Sequence, residues 1–196
     1  LHDLTLAGSS FNRHERLLIE SIMQLITPAK ALVVWGLTFW HRFELPLFED
    51  QQTVISQFTP SKVEYETSND FVRRYHCQLQ ENSDYYCNKQ LNSLTTITGW
   101  LRDLGHRYLI FNMADSEISE HIDINRKKYQ HLLDDKDILP LDRFFMNDWL
   151  YDNGVDPDPY DLKVADRRQC HADRRDPDTL EKVMTGFIVN HLKEHG

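Results

Sequence analysis

Short apolar runs alternate along the chain with longer segments in which apolar residues recur every three or four positions. This pattern predicts a strand over 4–7, a helix from about 12 to 26, and a second strand over 31–36. A long helical region is predicted over 70–104, interrupted near Asn82 or Ser83, followed by a strand over 106–113. The run over 31–36 is unbroken and ends in glycine, which is typical of a strand buried on both faces.

Residues at the ends of these segments are typical of helix termini. Asn12 is a candidate cap of the first helix, and Gly105 is a candidate end of the long helical region. Asp178 or Thr179 is the predicted cap of the last helix. Residues 37–70 show no clear periodicity and predict a long loop or an insertion. The inner face of the last helix is predicted to carry Leu180, Val183, Met184, Phe187, Ile188, His191 and Leu192.

The order of these segments predicts an α/β fold. Parallel strands joined by right-handed helical crossovers would form a three-layer α/β/α sandwich with a flavodoxin-like sheet, as one domain over 1–196. Three strands are fewer than the about five of such a sheet. We therefore expect either that the chain, which begins with Leu1 and not Met, lacks an N-terminal strand of this fold, or that it contains a further strand without a clear pattern.

Charge and cysteine content narrow the classes of function. A net charge of −9 argues against broad binding of nucleic acid or an anionic membrane. It leaves a local basic patch open, and Arg167–Arg168 with Arg174–Arg175 is one candidate. No apolar run approaches the roughly 18 residues that span a bilayer, and mean hydropathy is −0.57. Cys77, Cys87 and Cys170 have no metal-binding spacing, and the first two are predicted to share one helix. Reduced thiols in a soluble cytoplasmic protein are expected.

Two short stretches carry the candidate chemistry. Gly8-Ser9-Ser10-Phe11-Asn12-Arg13 forms a turn between a strand and a helix, where backbone N–H groups and hydroxyls meet above a sheet edge. Val34-Trp35-Gly36-Leu37-Thr38 is followed by Arg42 and Glu44. Together these stretches resemble the SGNH, or GDSL-type, hydrolase superfamily, and most closely a phage-associated branch of it. The resemblance implies a serine esterase that removes an acyl group, with a carbohydrate ester as one substrate class.

Two alignments with that superfamily are open. In the first, Gly8-x-Ser10 is the nucleophile turn and Ser10 attacks the ester carbonyl. In the second, Gly8 donates an oxyanion N–H and the nucleophile lies upstream of Leu1. Spacing favours the second, because the superfamily has a further strand and helix between its first and third blocks. The implied oxyanion and substrate-binding residues are Gly8, Ser9, Asn12, Gly36, Thr38, Arg42 and Glu44.

The late part of the chain departs from the superfamily pattern of Asp-x-x-His. Arg168, not an aspartate, stands three residues before His171, and Asp176 stands where the base histidine is expected. A carboxylate is a far weaker base than imidazole near pH 7. Either His171 is the base, oriented by Asp173 or Asp166, or the chain is an inactive module that binds a ligand or a protein partner.

Each candidate also has a purely structural interpretation. Ser9 and Ser10 precede a helix and are typical caps. Arg42 and Glu44 have the same parity on an extended segment, which favours an ion pair. Trp35 is expected in the core, and His191 is expected to pack on the last helix.

Nucleotide binding is a weaker alternative. A Gly-Ser-Ser turn at a helix start can hold phosphate, but neither a dinucleotide-binding nor a Walker glycine pattern is present. We expect no metal or organic cofactor.

Overall fold

A computed structural model describes most of the chain as a mixed α/β protein that is mainly helical. The chain divides into two compact units, Leu1–Ala31 with Thr38–Trp100 and Leu32–Leu37 with Leu101–Gly196. The predicted strand over 4–7 lies outside the described residues. The structure describes residues 10–24, 30–38, 42–49, 52–58, 69–113, 116–156 and 177–195.

The elements are numbered in chain order. They are α1 (Phe11–Met23), β1 (Leu32–Leu37), β2 (Phe43–Glu49), β3 (Gln52–Phe58), α2 (Asp70–Glu81), α3 (Ser83–Asp103), β4 (Arg107–Asn112), α4 (Ser116–Ile124), α5 (Arg126–Leu133), α6 (Met146–Asp152) and α7 (Pro177–His195).

The start of α1 is set by Ser10. Its backbone is extended, with φ −87° and ψ 161°, and its Oγ accepts a hydrogen bond from the backbone N–H of Arg13 at 3.2 Å. Ser10 is therefore the cap, and the prediction of Asn12 as the cap is wrong. Asn12 lies inside the first turn, where its own backbone is already helical and its side chain is no longer at the cap position.

The prediction of a long loop over 37–70 is wrong for its middle part. Strands β2 and β3 form an antiparallel hairpin there, with Phe43 opposite Phe58 and Glu49 opposite Gln52. Pro46 and the polar residues of β3 obscure the alternation that marks a strand. A two-stranded hairpin needs only one apolar face, so its sequence signal is short and weak.

The helical region over 70–104 is two helices, as the predicted interruption at Asn82 implies. Asn69 caps α2 by accepting hydrogen bonds from two backbone N–H groups of its first turn, at 3.0 and 3.3 Å. Gly105 follows α3 with a φ of 72°, which confirms it as the helix end. Cys77 and Cys87 lie on α2 and α3, so the prediction that they share one helix is wrong.

In the second unit, β1 pairs in parallel with β4, with Leu32 opposite Arg107 and Leu37 opposite Asn112. The expected burial of β1 on both faces is wrong for its first half, since Leu32 and Val34 are 42% and 40% exposed. An unbroken apolar run does not reveal which of its alternating side chains is covered. The second half is buried and includes Trp35, which confirms its place in the core.

Helix α7 covers the core of the second unit. It begins at Pro177, a residue suited to the first helical position. Asp178 and Thr179 therefore lie within the first turn, and their prediction as the cap is wrong. The ring of Phe187 lies 4.6 Å from that of Trp149 on α6, which confirms the predicted inner face. The residues of α7 that pack against the core are Leu180, Val183, Met184, Phe187 and Ile188.

Candidate functional site

Charged side chains of the first unit converge on Glu44 of β2. The Glu44 side chain is only 8% exposed, and Oε1 lies 3.6 Å from Nη1 of Arg13 and 3.4 Å from Nη2 of Arg16. A buried carboxylate requires such partners, because leaving it unpaired costs several kcal/mol. We call Arg13, His14, Arg16, Thr38, Arg42 and Glu44 the Glu44 cluster.

Local sequence explains why α1 supplies two of these arginines. Arg13 and Arg16 are three residues apart and share one face of the helix, and β2 packs beside α1. Arg16 also forms an ion pair with Glu20, one turn further along α1, at 3.5 Å. The paired face of α1 therefore joins the helix to the hairpin.

Arg42 lies just before β2 and is held by Thr38. Its Nη1 donates a hydrogen bond to Oγ1 of Thr38 at 3.0 Å, and Thr38 is 7% exposed. This hydrogen bond to a buried hydroxyl fixes the orientation of the planar guanidinium.

His14 is the titratable imidazole of the Glu44 cluster, and its surroundings lower its pKa. Burial, followed by the nearby charges of Arg13 and Arg42, lowers the pKa of His14 below its ordinary value, and Glu44 acts in the opposite direction. The imidazole is therefore mainly neutral near pH 7.

A small cleft adjoins Arg42. Its free space is about 20 Å³, enough for one water-sized group. Two cations line it, Arg42 and Lys89, and among the described residues no carboxylate does. The remaining polar lining comes from Asn12, Tyr75, Tyr86 and Gln90.

The structure brings several sequence-predicted residues into the same unit. Ser10 and Asn12 stand at the start of α1, while Thr38, Arg42 and Glu44 supply the other side of the cluster. Ser10 is fully buried and caps α1, and Asn12 is exposed. Glu44 is ion-paired, but with Arg13 and Arg16 of α1 and not with Arg42, so the partner that its structural interpretation expects is wrong. The predicted site residues that fall outside the described part of the chain are Gly8, Ser9, His171 and Asp173.

Gly36 belongs to the second unit, where it is required for packing. A Cβ at this position would lie 2.8 Å from Sδ of Met113 and 2.9 Å from a ring carbon of Phe111. Any larger residue would therefore displace a neighbour in the sheet.

His14 and Arg16 were absent from the predicted site. Arg13, Arg16 and Glu20 at spacings of three and four residues mark a charged face of α1, which was the available signal. The sequence does not say that this face meets a buried carboxylate of β2, because that contact depends on tertiary packing.

The second unit holds a separate polar network at the start of β4. The hydroxyl of Tyr108 donates to Oδ2 of Asp135 at 2.6 Å, and Nε of Arg102 donates to the same hydroxyl at 2.8 Å. Burial and the hydrogen bond to Asp135 raise the pKa of Tyr108 to about 12. The phenol therefore stays protonated, and the network ties β4 to the segment after α5.

No protein-family model, curated protein or solved structure matches this chain. Among the described residues, no group of three or more His, Cys, Asp or Glu side chains is placed to hold a metal ion. None of the helices in the described ranges is long and apolar enough to cross a membrane. The interpretation of the site therefore rests on its own geometry.

Proposed function

We propose that this chain is an SGNH-hydrolase-like domain that binds a small anionic ligand at the Glu44 cluster. The observation that carries the proposal is the lining of the cleft, where Arg42 and Lys89 are the cations and none of the described lining residues is a carboxylate. Arg13 and Arg16 pair with Glu44 beside it. A carboxylate or phosphate oxygen entering the cleft would meet Arg42 and Lys89 together.

The chemistry of the cluster suits an anion more than a neutral group. Guanidinium N–H groups form short, charge-assisted hydrogen bonds with carboxylate and phosphate oxygens. The N-terminal end of α1 adds a partial positive charge on the same side, since Ser10 and Arg13 belong to its first turn. A positive site on a chain of net charge −9 also favours a small anion over an anionic polymer, which the rest of the surface repels.

Binding without hydrolysis is favoured by the state of Ser10. Its Oγ accepts a backbone hydrogen bond and is buried, whereas an attacking serine needs access to substrate and a base within hydrogen-bond reach. The capping of α1 by itself explains why a serine stands at position 10, and no catalytic role is needed.

Ester hydrolysis is the second candidate. Both stretches that resemble the superfamily contribute to one cluster, since Arg13 follows the Ser10 turn and pairs with Glu44 of the other stretch. In this alternative Ser10 attacks the ester, Gly8 and neighbouring N–H groups hold the oxyanion, His171 is the base and Asp173 orients it.

The proposal also covers the arrangement of the sheet and the cellular compartment of the protein. We propose that the parallel pair of β1 and β4 is part of a flavodoxin-like sheet within a three-layer sandwich, and that the protein is cytoplasmic. Parallel pairing across a long crossover that contains helices supports the sheet. An odd number of cysteines without metal-binding spacing supports the cytoplasmic location.

Titration with inorganic phosphate and with acetate tests the binding proposal. Each anion should raise the Tm, because a ligand at about 100 times its Kd stabilises the folded state by about 2.7 kcal/mol. Arg42→Gln should abolish the increase, and Arg42→Lys should restore part of it. Arg74→Gln is the matched control, since Arg74 is an exposed arginine of α2 whose Nε donates to the carbonyl of Asp70. Equal responses in Arg42→Gln and Arg74→Gln would contradict anion binding at the cluster.

Labelling with a fluorophosphonate distinguishes binding from hydrolysis. The wild-type chain and Ser10→Ala should both remain unlabelled when their intact masses are measured. An adduct that is lost in Ser10→Ala would establish an activated serine and favour the esterase.

A further inference from the structure

A second recessed surface of the first unit lies between α1 and α3, and it shares Lys89 with the cleft beside Arg42. This α1–α3 groove has a volume of about 530 Å³, within the range of small-molecule sites. Its polar lining includes Glu15 from α1 and Tyr85, Asn88, Lys89, Asn92 and Ser93 from α3.

The α3 side of the groove presents amides and hydroxyls in a row. Asn88, Asn92 and Thr96 are spaced four residues apart and therefore share one helix face. Asn92 is exposed, and among the described residues neither its amide nor the Glu15 carboxylate has a hydrogen-bond or ion-pair partner. Nδ2 of Asn88 and Oγ1 of Thr96 already donate to backbone carbonyls of α3, so the amide of Asn92 is the member of this row that can both donate to and accept from a ligand hydroxyl.

Tyr85 supplies an aromatic surface at the same groove. It is 63% exposed, yet its ring is held edge-on against Tyr86, with ring centroids 5.1 Å apart and planes at 87°. Tyr86 in turn packs edge-on against Tyr75 of α2. The exposed ring is therefore positioned by its neighbours, and it offers an apolar surface next to polar groups.

The charges at the groove exclude other ligand classes. The described lining of the groove carries one carboxylate, Glu15, and one cation, Lys89, so it has no net positive charge that would favour a phosphate or an acidic peptide there. A purely apolar ligand would leave the exposed amide of Asn92 without a partner, which is costly once water is excluded. A saccharide fits both features, because its ring has an apolar C–H face and an edge of hydroxyls.

We infer that the α1–α3 groove binds a neutral saccharide, with one sugar ring against Tyr85 and its hydroxyls on Asn92 and Glu15. This inference does not depend on the proposed anion site, because Tyr85, Asn92 and Glu15 do not line the cleft beside Arg42, although Lys89 lines both surfaces.

An NMR titration of the isotopically labelled chain tests the inference. Cellobiose, maltose, lactose and chitobiose are each added up to about 10 mM, which detects dissociation constants in the millimolar range. At least one of them should shift the backbone amides of Tyr85, Asn92 and Glu15. Tyr85→Ala and Asn92→Ala should each weaken this binding at least tenfold.

Phe71→Ala is the matched control, because Phe71 is an exposed aromatic residue of α2 that does not line the groove. It should leave the affinity unchanged, and the Tm of each variant should confirm that it is folded. Absence of shifts with all four disaccharides would overturn the inference, as would binding that is equally strong in Tyr85→Ala.

Discussion

Replacement of Glu44 by glutamine tests whether the ion pairs of the Glu44 cluster hold α1 against β2. Glutamine keeps the shape of the side chain and removes its charge, so Arg13 and Arg16 lose their shared counter-charge. Removing one partner of a buried ion pair costs about 3–5 kcal/mol, whereas an exposed pair contributes about 0.2–1 kcal/mol. Glu44 is buried, but the two arginine side chains are 25% and 34% exposed, which places this case between the two limits.

We therefore expect Glu44→Gln to lower the free energy of unfolding by about 2 kcal/mol. The assay is urea denaturation followed by circular dichroism, with thermal unfolding alongside. For a chain of this length the Tm should fall by roughly 4–8 °C, since 1 kcal/mol corresponds to about 2–4 °C. The pKa of His14 should also decrease, because Glu44 opposes the effect of the arginines on it.

Glu20→Gln is the matched control for this prediction. Glu20 pairs with the same Arg16, but its side chain is 52% exposed. Its replacement should cost only about 0.3–0.5 kcal/mol, the usual value for a pair one helical turn apart. If the two variants lose the same stability, or if Glu44→Gln is as stable as the wild-type protein, the ion pairs of Glu44 do not hold the two elements together.

Four further predictions concern single positions. Ser10→Ala should lower stability by about 1 kcal/mol and Ser10→Gly by a few tenths, measured by urea denaturation, if the hydroxyl caps α1. Because the pKa of His14 is lowered in the folded state, stability should decrease as the pH falls below about 6.5, with a shallower slope in His14→Gln. Tyr108→Phe should cost about 1–3 kcal/mol in the same assay by removing the donor to Asp135. Gly36→Ala should lower the Tm, at a cost of about 1–3 kcal/mol from overpacking.

Local sequence predicted the helices well because their signals are contained within a few turns. The inner face of α7, the interruption at Asn82 and the helix end at Gly105 each depend on spacing, helix propensity or backbone freedom over a short window. The same holds for the parallel pairing of β1 and β4, since strands separated by a helical crossover favour that arrangement.

Tertiary packing decided the features that sequence patterns describe poorly. The hairpin of β2 and β3 is stabilised by cross-strand pairing, and its residues carry no long periodic signal. Exposure of Leu32 and Val34 depends on what covers each side of β1, which an apolar run does not encode.

For the candidate site too, some features were predictable from the sequence and others depended on tertiary packing. The sequence by itself singled out Thr38, Arg42 and Glu44 through a resemblance, while the charged face of α1 was a signal in the spacing of its arginines that the prediction did not use. Only the tertiary structure decided that this face meets Glu44, because an ion pair across 28 positions of the chain forms only when helix and strand are packed together. The placement of Arg42 and Lys89 on one cleft likewise follows from packing, because the two residues belong to different parts of the first unit.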